Sequence, residues 1–232
     1  MQILDTQKTK LGNNIKLIGE PTSNNILIVG VVHGDEPQGK YLIEKYLETK
    51  YNFYFGEGSE NKNEKSITNN GVLFIPCLNP DGMQNNTRTN SNNVDINRNF
   101  PTKNWGKNEG ENATCDDETT NYFGGKTAGS ELETQFLIKI IEKYSPKLVM
   151  TLHAPYKVVN YDGPAKKEAE IISEIIHYPV ESSIGYPTPG SFGTWAGVER
   201  NVPTITLELD EEIPIQQLVK PVFEIFDFLS NN

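Results

Sequence analysis

Two short apolar runs, each ending at a histidine, constrain this chain more than any other feature. Ile26-Leu-Ile-Val-Gly-Val-Val32 leads directly into His33-Gly-Asp-Glu36-Pro, and Lys147-Leu-Val-Met-Thr-Leu leads into His153. The sequence holds only three histidines, so two of them standing just beyond strand-like stretches form a pattern. Short apolar runs bounded by turn residues read as strands buried on both faces, as in parallel sheets. Open α/β sheets bind their ligands beyond the carboxyl ends of such strands. A zinc site on such a sheet would lie there, and it points to a hydrolase.

The rest of the chain supplies the partners such strands need. Residues 26–32 and 72–78 are expected as strands, and the spacing of Tyr41, Leu42, Tyr46 and Leu47 predicts a helix over 37–50. Ser130-Glu-Leu-Glu133 reads as a capping box that opens a helix running to about Tyr144. A strand ending at His153 follows, then helical spacing over 165–177, a short helix over 190–200, a strand over 202–209 and a helix over roughly 214–229. The polar segment from Phe55 to Asn70 reads as a solvated loop. The longer polar region from Pro80 to about Gly129 reads as a functional loop, because structureless stretches of that length are rare inside compact domains. The alternation predicts an α/β fold: a doubly wound, mixed but mostly parallel sheet with helices on both faces, residues 1–232 forming a single catalytic domain.

The charge balance narrows the partners. With a net charge of −10 and no basic face, nucleic acid is not an expected partner. No run is long enough to cross a membrane, and Met1-Gln-Ile-Leu-Asp-Thr-Gln-Lys does not read as a secretion signal, so a cytoplasmic location is expected. Of the two cysteines, Cys77 falls in an apolar run and reads as a buried thiol; Cys115 lies in a polar stretch, and no disulfide between them is expected.

Zinc in a hydrolase takes three protein ligands and keeps one position open. His33 and Glu36, three apart at a strand-to-helix turn, can point at one ion, and His153 can reach it from a separate strand. The bland alternative is a set of polar residues at the sheet rim. Further motifs now matter: Asn79-Pro-Asp-Gly82, Arg88-Thr-Asn90, Val94-Asp-Ile-Asn-Arg-Asn-Phe-Pro101 and Thr206-Leu-Glu208-Leu. Together with His33-Gly-Asp-Glu36 and His153, in this order over residues 26–209, they resemble the zinc carboxypeptidases, the funnelins.

That resemblance implies one zinc per chain, held by His33, Glu36 and His153, and a small peptide substrate with a free carboxylate. It implies that Glu208 acts as general base and acid in the attack of zinc-bound water on a C-terminal amide. Arg88 would stabilise the oxyanion, and Asn97 with Arg98 would clamp the substrate carboxylate, a task suited to the planar guanidinium fork. Asp95 would orient a ligating histidine, and Tyr186 stands near where the family keeps a mobile active-site tyrosine. One departure is Asn93, where the family usually has glycine; asparagine tolerates the left-handed backbone that glycine adopts. His177 reads as a structural or capping residue, and the stretch around Asp116-Asp-Glu118 as a solvated loop.

Within the family, the compact form and the closeness of Arg88 to Val94-Asp-Ile-Asn resemble the bacterial amidases that split the γ-D-glutamyl–diaminopimelate bond of murein tripeptides during cell-wall recycling. The pocket segment Ser191-Phe-Gly-Thr194 carries no acidic residue, which weakens a preference for terminal Lys or Arg. Two alternatives stand beside this reading. One is an N-acyl amino acid deacylase of the aspartoacylase or succinylglutamate desuccinylase type, which typically has His-Gly-Asn-Glu and lacks Asn-Pro-Asp-Gly. The other is a zinc-dependent peptide-binding module without catalysis, to which Arg88 and Glu208 would be dispensable.

Overall fold

Four strands, nearly all of whose residues are buried, make the centre of one sheet: β3 (Ile26–Gly30), β4 (Val72–Ile75), β5 (Leu148–His153) and β8 (Thr204–Glu208). The computed structural model describes residues 1–55, 71–106 and 122–231. β1 (Gln2–Lys8), β2 (Asn14–Gly19), β6 (Val158–Asp162) and β7 (Val180–Glu181) extend the sheet, in the order β1-β2-β4-β3-β5-β8-β6-β7. The four central strands run parallel, whereas β1, β2 and β4 pair antiparallel and β6 runs against β8.

The central strands are buried on both faces because helices cover both. Ile26 and Ile28 face one way, into a cluster with Leu42, Ile43 and Leu47 of α1 (Gln38–Tyr51). That cluster also takes Ile172 of α4 (Lys166–Ile176) and Val222, Ile225 and Phe226 of α5 (Gln216–Ser230). Leu27 and Val29 face the other way, against Phe136, Leu137 and Ile140 of α3 (Leu132–Tyr144) and the rings of Phe100 and Trp195. Burying each such side chain contributes about 1.5–3 kcal/mol, and the period of two in the strands sets which residue serves which layer.

The strand order places the site. From β3 the chain crosses through α1 to β4 on one side, then returns by α3 to β5 on the other. β3 and β5 are therefore neighbours whose following loops diverge, which opens a crevice at their carboxyl ends. His33 and His153 stand at those two ends.

The structure corrects the sequence reading in several places. β3 stops at Gly30 and β4 at Ile75, short of residues 32 and 78. Ser130 does not cap α3: its hydroxyl bonds Glu131 Oε1 and Asn99, and the helix starts at Leu132 without a side-chain cap. The short helix expected over 190–200 is present over 192–200, with a π-helical turn at Thr194–Val198 inside it. The polar region after Pro80 contains α2 (Pro80–Asn85), capped by Asn79 Oδ1 accepting the Gly82 N–H at 2.9 Å, and a 3-10 turn at Ile96–Arg98. The outer strands β1, β2, β6 and β7 escaped the sequence reading because they carry few apolar residues or alternate weakly.

Cys77 is buried, and burial pushes its thiol up to about 12. Cys115, the acidic stretch at 116–118 and most of the segment 55–70 lie outside the described residues. His177 ends α4 in a left-handed conformation, its N–H bonded to Ser173 O. Among the described residues no helix is long and apolar enough to cross a membrane.

Candidate metal and catalytic site

The loop after β3 is held by the Asn79-Pro-Asp-Gly82 turn. Leu78 N–H bonds Gly30 O at 3.0 Å and Asn79 N–H bonds Val31 O at 2.9 Å. Gly82 packs so closely on Gly34 that a Cβ at Gly34 would lie 2.0 Å from the Gly82 carbonyl carbon. Val31 itself adopts φ 52°, a left-handed conformation that is strained for a β-branched residue and costs about 1–3 kcal/mol. The chain accepts that strain where it turns His33 and Glu36 toward His153.

Three donor atoms converge there. His33 Nδ1 lies 2.8 Å from Glu36 Oε1, His153 Nδ1 lies 3.0 Å from Glu36 Oε2, and the two Nδ1 atoms are 3.2 Å apart. All three residues are buried. His33 Nε2 donates to Asp95 Oδ1 at 3.1 Å, which leaves the Nδ1 of a neutral His33 as a lone pair facing the other two donors. Facing acceptors with too few protons between them suit a cation. Two imidazoles and a carboxylate are a donor set zinc accepts, so these residues fit the ion. Burial would raise the Glu36 carboxyl, but His33 and His153 outweigh it and hold it well below the usual carboxylate range.

Asp95 organises the next layer. It is fully buried, and its Oδ1 also accepts the Asn97 N–H at 2.8 Å while its Oδ2 accepts from Arg88 Nε at 3.0 Å. Burial opposes its ionisation, yet Arg88 and His33 keep it far below the normal range. Asp95→Asn replaces one acceptor with a donor and leaves Arg88 without its closest anion. The expected result is zinc affinity lower by about 10–100-fold, read by competition with a chromogenic chelator. Unchanged affinity would show that Asp95 does not set the His33 ring. Asn93, two residues upstream, takes φ 59°, the conformation its glycine-like role requires.

Glu208 ends β8 directly beside His153 in the β5–β8 register. It is 6% exposed, and its Oε2 has no hydrogen-bond partner among the described residues. Burial raises its carboxyl above the ordinary value and Glu36 adds to the rise, while His153 pulls the other way.

The same cavity, of about 340 Å³, is lined by Arg88, Asn97, Arg98 and Tyr186. Asn97 Oδ1 accepts the Phe192 N–H at 2.8 Å, which turns its amide NH2 end free to donate. Arg98 is 4% exposed, and among the described residues it has no ion pair; its Nη1 bonds only the Asn97 carbonyl, at 2.8 Å. Tyr186 is half-buried, and desolvation followed by Tyr156 pushes its hydroxyl up to about 12.

Tyr122 and Asp162 are among the cavity residues that were not singled out from the sequence. The Tyr122 ring centroid lies 5.3 Å from Arg88 Cζ and 5.8 Å from Arg98 Cζ, against both cations. Asp162 supplies the cavity with the acid that Ser191–Thr194 lacks. It comes from β6, a strand the apolar pattern did not reveal, so the argument against a basic terminal residue does not hold.

A doubly wound sheet with two histidines and a glutamate at its switch point defines a metal-dependent hydrolase. The chain belongs to the zinc carboxypeptidase family, whose model matches residues 4–174, and it is a hydrolytic zinc peptidase. The match includes the three donor residues, Arg88, Asn97 and Arg98; Tyr186 and Glu208 lie beyond it.

Murein peptide amidase A of Escherichia coli (strain K12) is 38% identical over 188 residues, 78% of this chain and 69% of that protein. The Vibrio campbellii (strain ATCC BAA-1116) murein peptide amidase A is 38% identical over 139 residues, 58% of this chain and 55% of its own length. Among solved structures, the murein-tripeptide amidase MpaA from Escherichia coli O157 superposes with a TM-score of 0.75 at 27% identity, covering 96% of this chain and 89% of that one. Carboxypeptidase A from Helicoverpa armigera, at 16% identity, shares the fold with a TM-score of 0.73 over 99% of this chain and 68% of its own.

Proposed function

We propose that residues 1–232 form one catalytic domain that binds a single zinc ion through His33, Glu36 and His153 and hydrolyses the C-terminal amide of a small peptide. The bond we favour is γ-D-glutamyl–diaminopimelate in murein peptides. The observation that carries the anionic substrate is Arg98, a buried guanidinium without an ion-pair partner among the described residues, facing a cavity that also holds the three converged donors. The murein assignment is supported by the two amidase relatives at 38% identity. A cytoplasmic location and a role in recycling wall peptides belong to the same reading and rest on that likeness.

Arg98 binds the terminal carboxylate, with the free amide end of Asn97 as a second donor. That contact fixes the last amide beside Glu208. His33, Glu36 and His153 would hold the zinc, which when bound would supply a Lewis acid for the scissile carbonyl and lower the pKa of the attacking water. Glu208 accepts the water's proton as the carbon–oxygen bond forms, then delivers it to the nitrogen as the carbon–nitrogen bond breaks. Burial suits Glu208 to this shuttle, because its raised pKa brings the carboxyl closer to the working range of an acid–base catalyst. Arg88, held by Asp95 through Nε and lying 3.6 Å from Glu36 Oε1 through Nη1, keeps its guanidinium beside the donor cluster, where it can face the developing oxyanion.

The test is mass spectrometry of the zinc-loaded protein with L-Ala-γ-D-Glu-meso-diaminopimelate. Release of diaminopimelate supports the assignment; intact tripeptide beside turnover of ordinary peptides refutes the murein bond and keeps the peptidase. Arg98→Ala is expected to raise KM for a free-carboxylate peptide by about 10- to 100-fold, from the loss of a charge-assisted bond of about 1.5–3 kcal/mol. Equal turnover of the free acid and its C-terminal amide by the wild type would remove the clamp role.

A further inference from the structure

The two arginines of the cavity are held in different ways. Arg88 is paired with Asp95 at 3.0 Å and stands 3.6 Å from Glu36. Arg98 is 4% exposed and has no ion pair among the described residues; its Nη1 donates to the Asn97 carbonyl at 2.8 Å. Asp95 feels the charge of Arg98, but its oxygens accept from His33, Arg88 and the Asn97 N–H. A buried cation without a partner is costly, so something else must offset it in the empty site.

The Tyr122 ring stands against this guanidinium, its centroid 5.8 Å from Arg98 Cζ, and the same ring lies 5.3 Å from Arg88 Cζ. Both distances fall inside the reach of about 6 Å over which a ring attracts a cation. The chemistry suits the place. A ring quadrupole attracts the cation as a whole, whereas a carboxylate would occupy two of its N–H donors and compete with an anionic substrate. Arg88 keeps its acidic partners whatever the ring does, so the ring matters most to Arg98.

We propose that Tyr122 is a positioning residue for the carboxylate clamp: its ring offsets part of the Arg98 charge and fixes the guanidinium, while leaving N–H donors to the substrate's terminal carboxylate. This rests on the reading of Arg98 as that clamp. The ring acts through its π-system and not through its hydroxyl, so phenylalanine can serve in its place. Leucine fills much of the same space but has no quadrupole to offer the cation.

The experiment measures kcat and KM of the zinc-loaded wild type, Tyr122→Phe and Tyr122→Leu on a free-carboxylate peptide that the wild type cleaves. Tyr122 is 37% exposed, so neither substitution empties a core position. Tyr122→Leu is expected to raise KM by about 3- to 30-fold with kcat held within about threefold, and Tyr122→Phe to keep both within about twofold. In an Arg98→Ala background, Tyr122→Leu should change KM by less than about twofold, because the group it acts through is gone. A wild-type KM in Tyr122→Leu overturns the proposal. Equal losses in the two variants overturn it in favour of the hydroxyl, and an undiminished effect in the Arg98→Ala background reduces the ring to packing and overturns it too.

If no peptide is cleaved, the peptidase reading has failed and calorimetry with N-acetylglycine, a small ligand with one free carboxylate, decides. Weaker binding in both Arg98→Ala and Tyr122→Leu, with wild-type affinity in Tyr122→Phe, upholds the role of the ring without turnover. Binding that Arg98→Ala weakens and Tyr122→Leu does not ends the proposal and keeps the clamp. Binding that is absent, or that Arg98→Ala leaves unchanged, refutes the clamp and the proposal with it.

Discussion

Glu208→Gln is expected to lower kcat by about 10³- to 10⁴-fold while leaving zinc content and fold unchanged. The substitution keeps the shape of the side chain at the end of β8 and removes its ability to accept a proton. None of the three converging donor atoms belongs to Glu208, so the metal site loses no ligand. Its Oε2 has no hydrogen bond to break among the described residues, so the cost to stability is small. Single-turnover kinetics beside metal analysis of the same sample separate the two effects. A variant that keeps its zinc and at least a tenth of wild-type kcat would remove Glu208 from the chemistry. Loss of zinc together with activity would instead make it part of the metal site.

His33→Ala acts one step earlier and is expected to abolish activity through the metal. Zinc sites with four ligands bind with about 10–16 kcal/mol, so one ligand accounts for roughly 3–4 kcal/mol, or about 10²- to 10³-fold in affinity. The loss reaches further, because Asp95 Oδ1 gives up its bond to the His33 ring and keeps only the Asn97 N–H and the bond from Arg88 at Oδ2. A buried carboxylate that loses a partner costs further stability, so a lowered melting temperature should accompany the metal loss. Equilibrium dialysis against zinc buffers measures the affinity directly. Retention of zinc at wild-type affinity would show that Glu36 and His153 suffice with water and would overturn the three-ligand assignment.

The parallel centre of the fold was legible because buried strands write themselves as unbroken apolar runs, and the two histidines at their ends marked the crevice. His33, Glu36 and His153 line one cavity with Arg88, Asn97, Arg98, Tyr186 and Glu208, and Asp95 stands behind it, bonded to His33 and Arg88. What stayed hidden has physical causes. β1 and β2 form an outer hairpin, with β1 largely exposed, where hydrophobic pattern is weak. β6 and β7 close the other edge, and Asp162 went unnoticed because its strand did. Ser130 looked like a cap, yet tertiary partners Asn99 and Glu131 claimed its hydroxyl. Tyr122 carries no sequence signal at all; its meaning comes from two arginines that precede it in the chain and meet its ring only in the fold.

The strand order has a consequence for how the chain acquires its site. The pair that holds the two histidines, β3 and β5, joins segments about 120 residues apart, and the Asp95 contact closes a separation of 62. Contacts that distant form after local helices and hairpins, because a large loop must close before they return any energy. A nascent chain therefore has no zinc pocket until the middle of its sheet has zipped. Metal capture becomes a signal of completed folding, and protein that stalls half-formed stays metal-free and cannot cleave peptides.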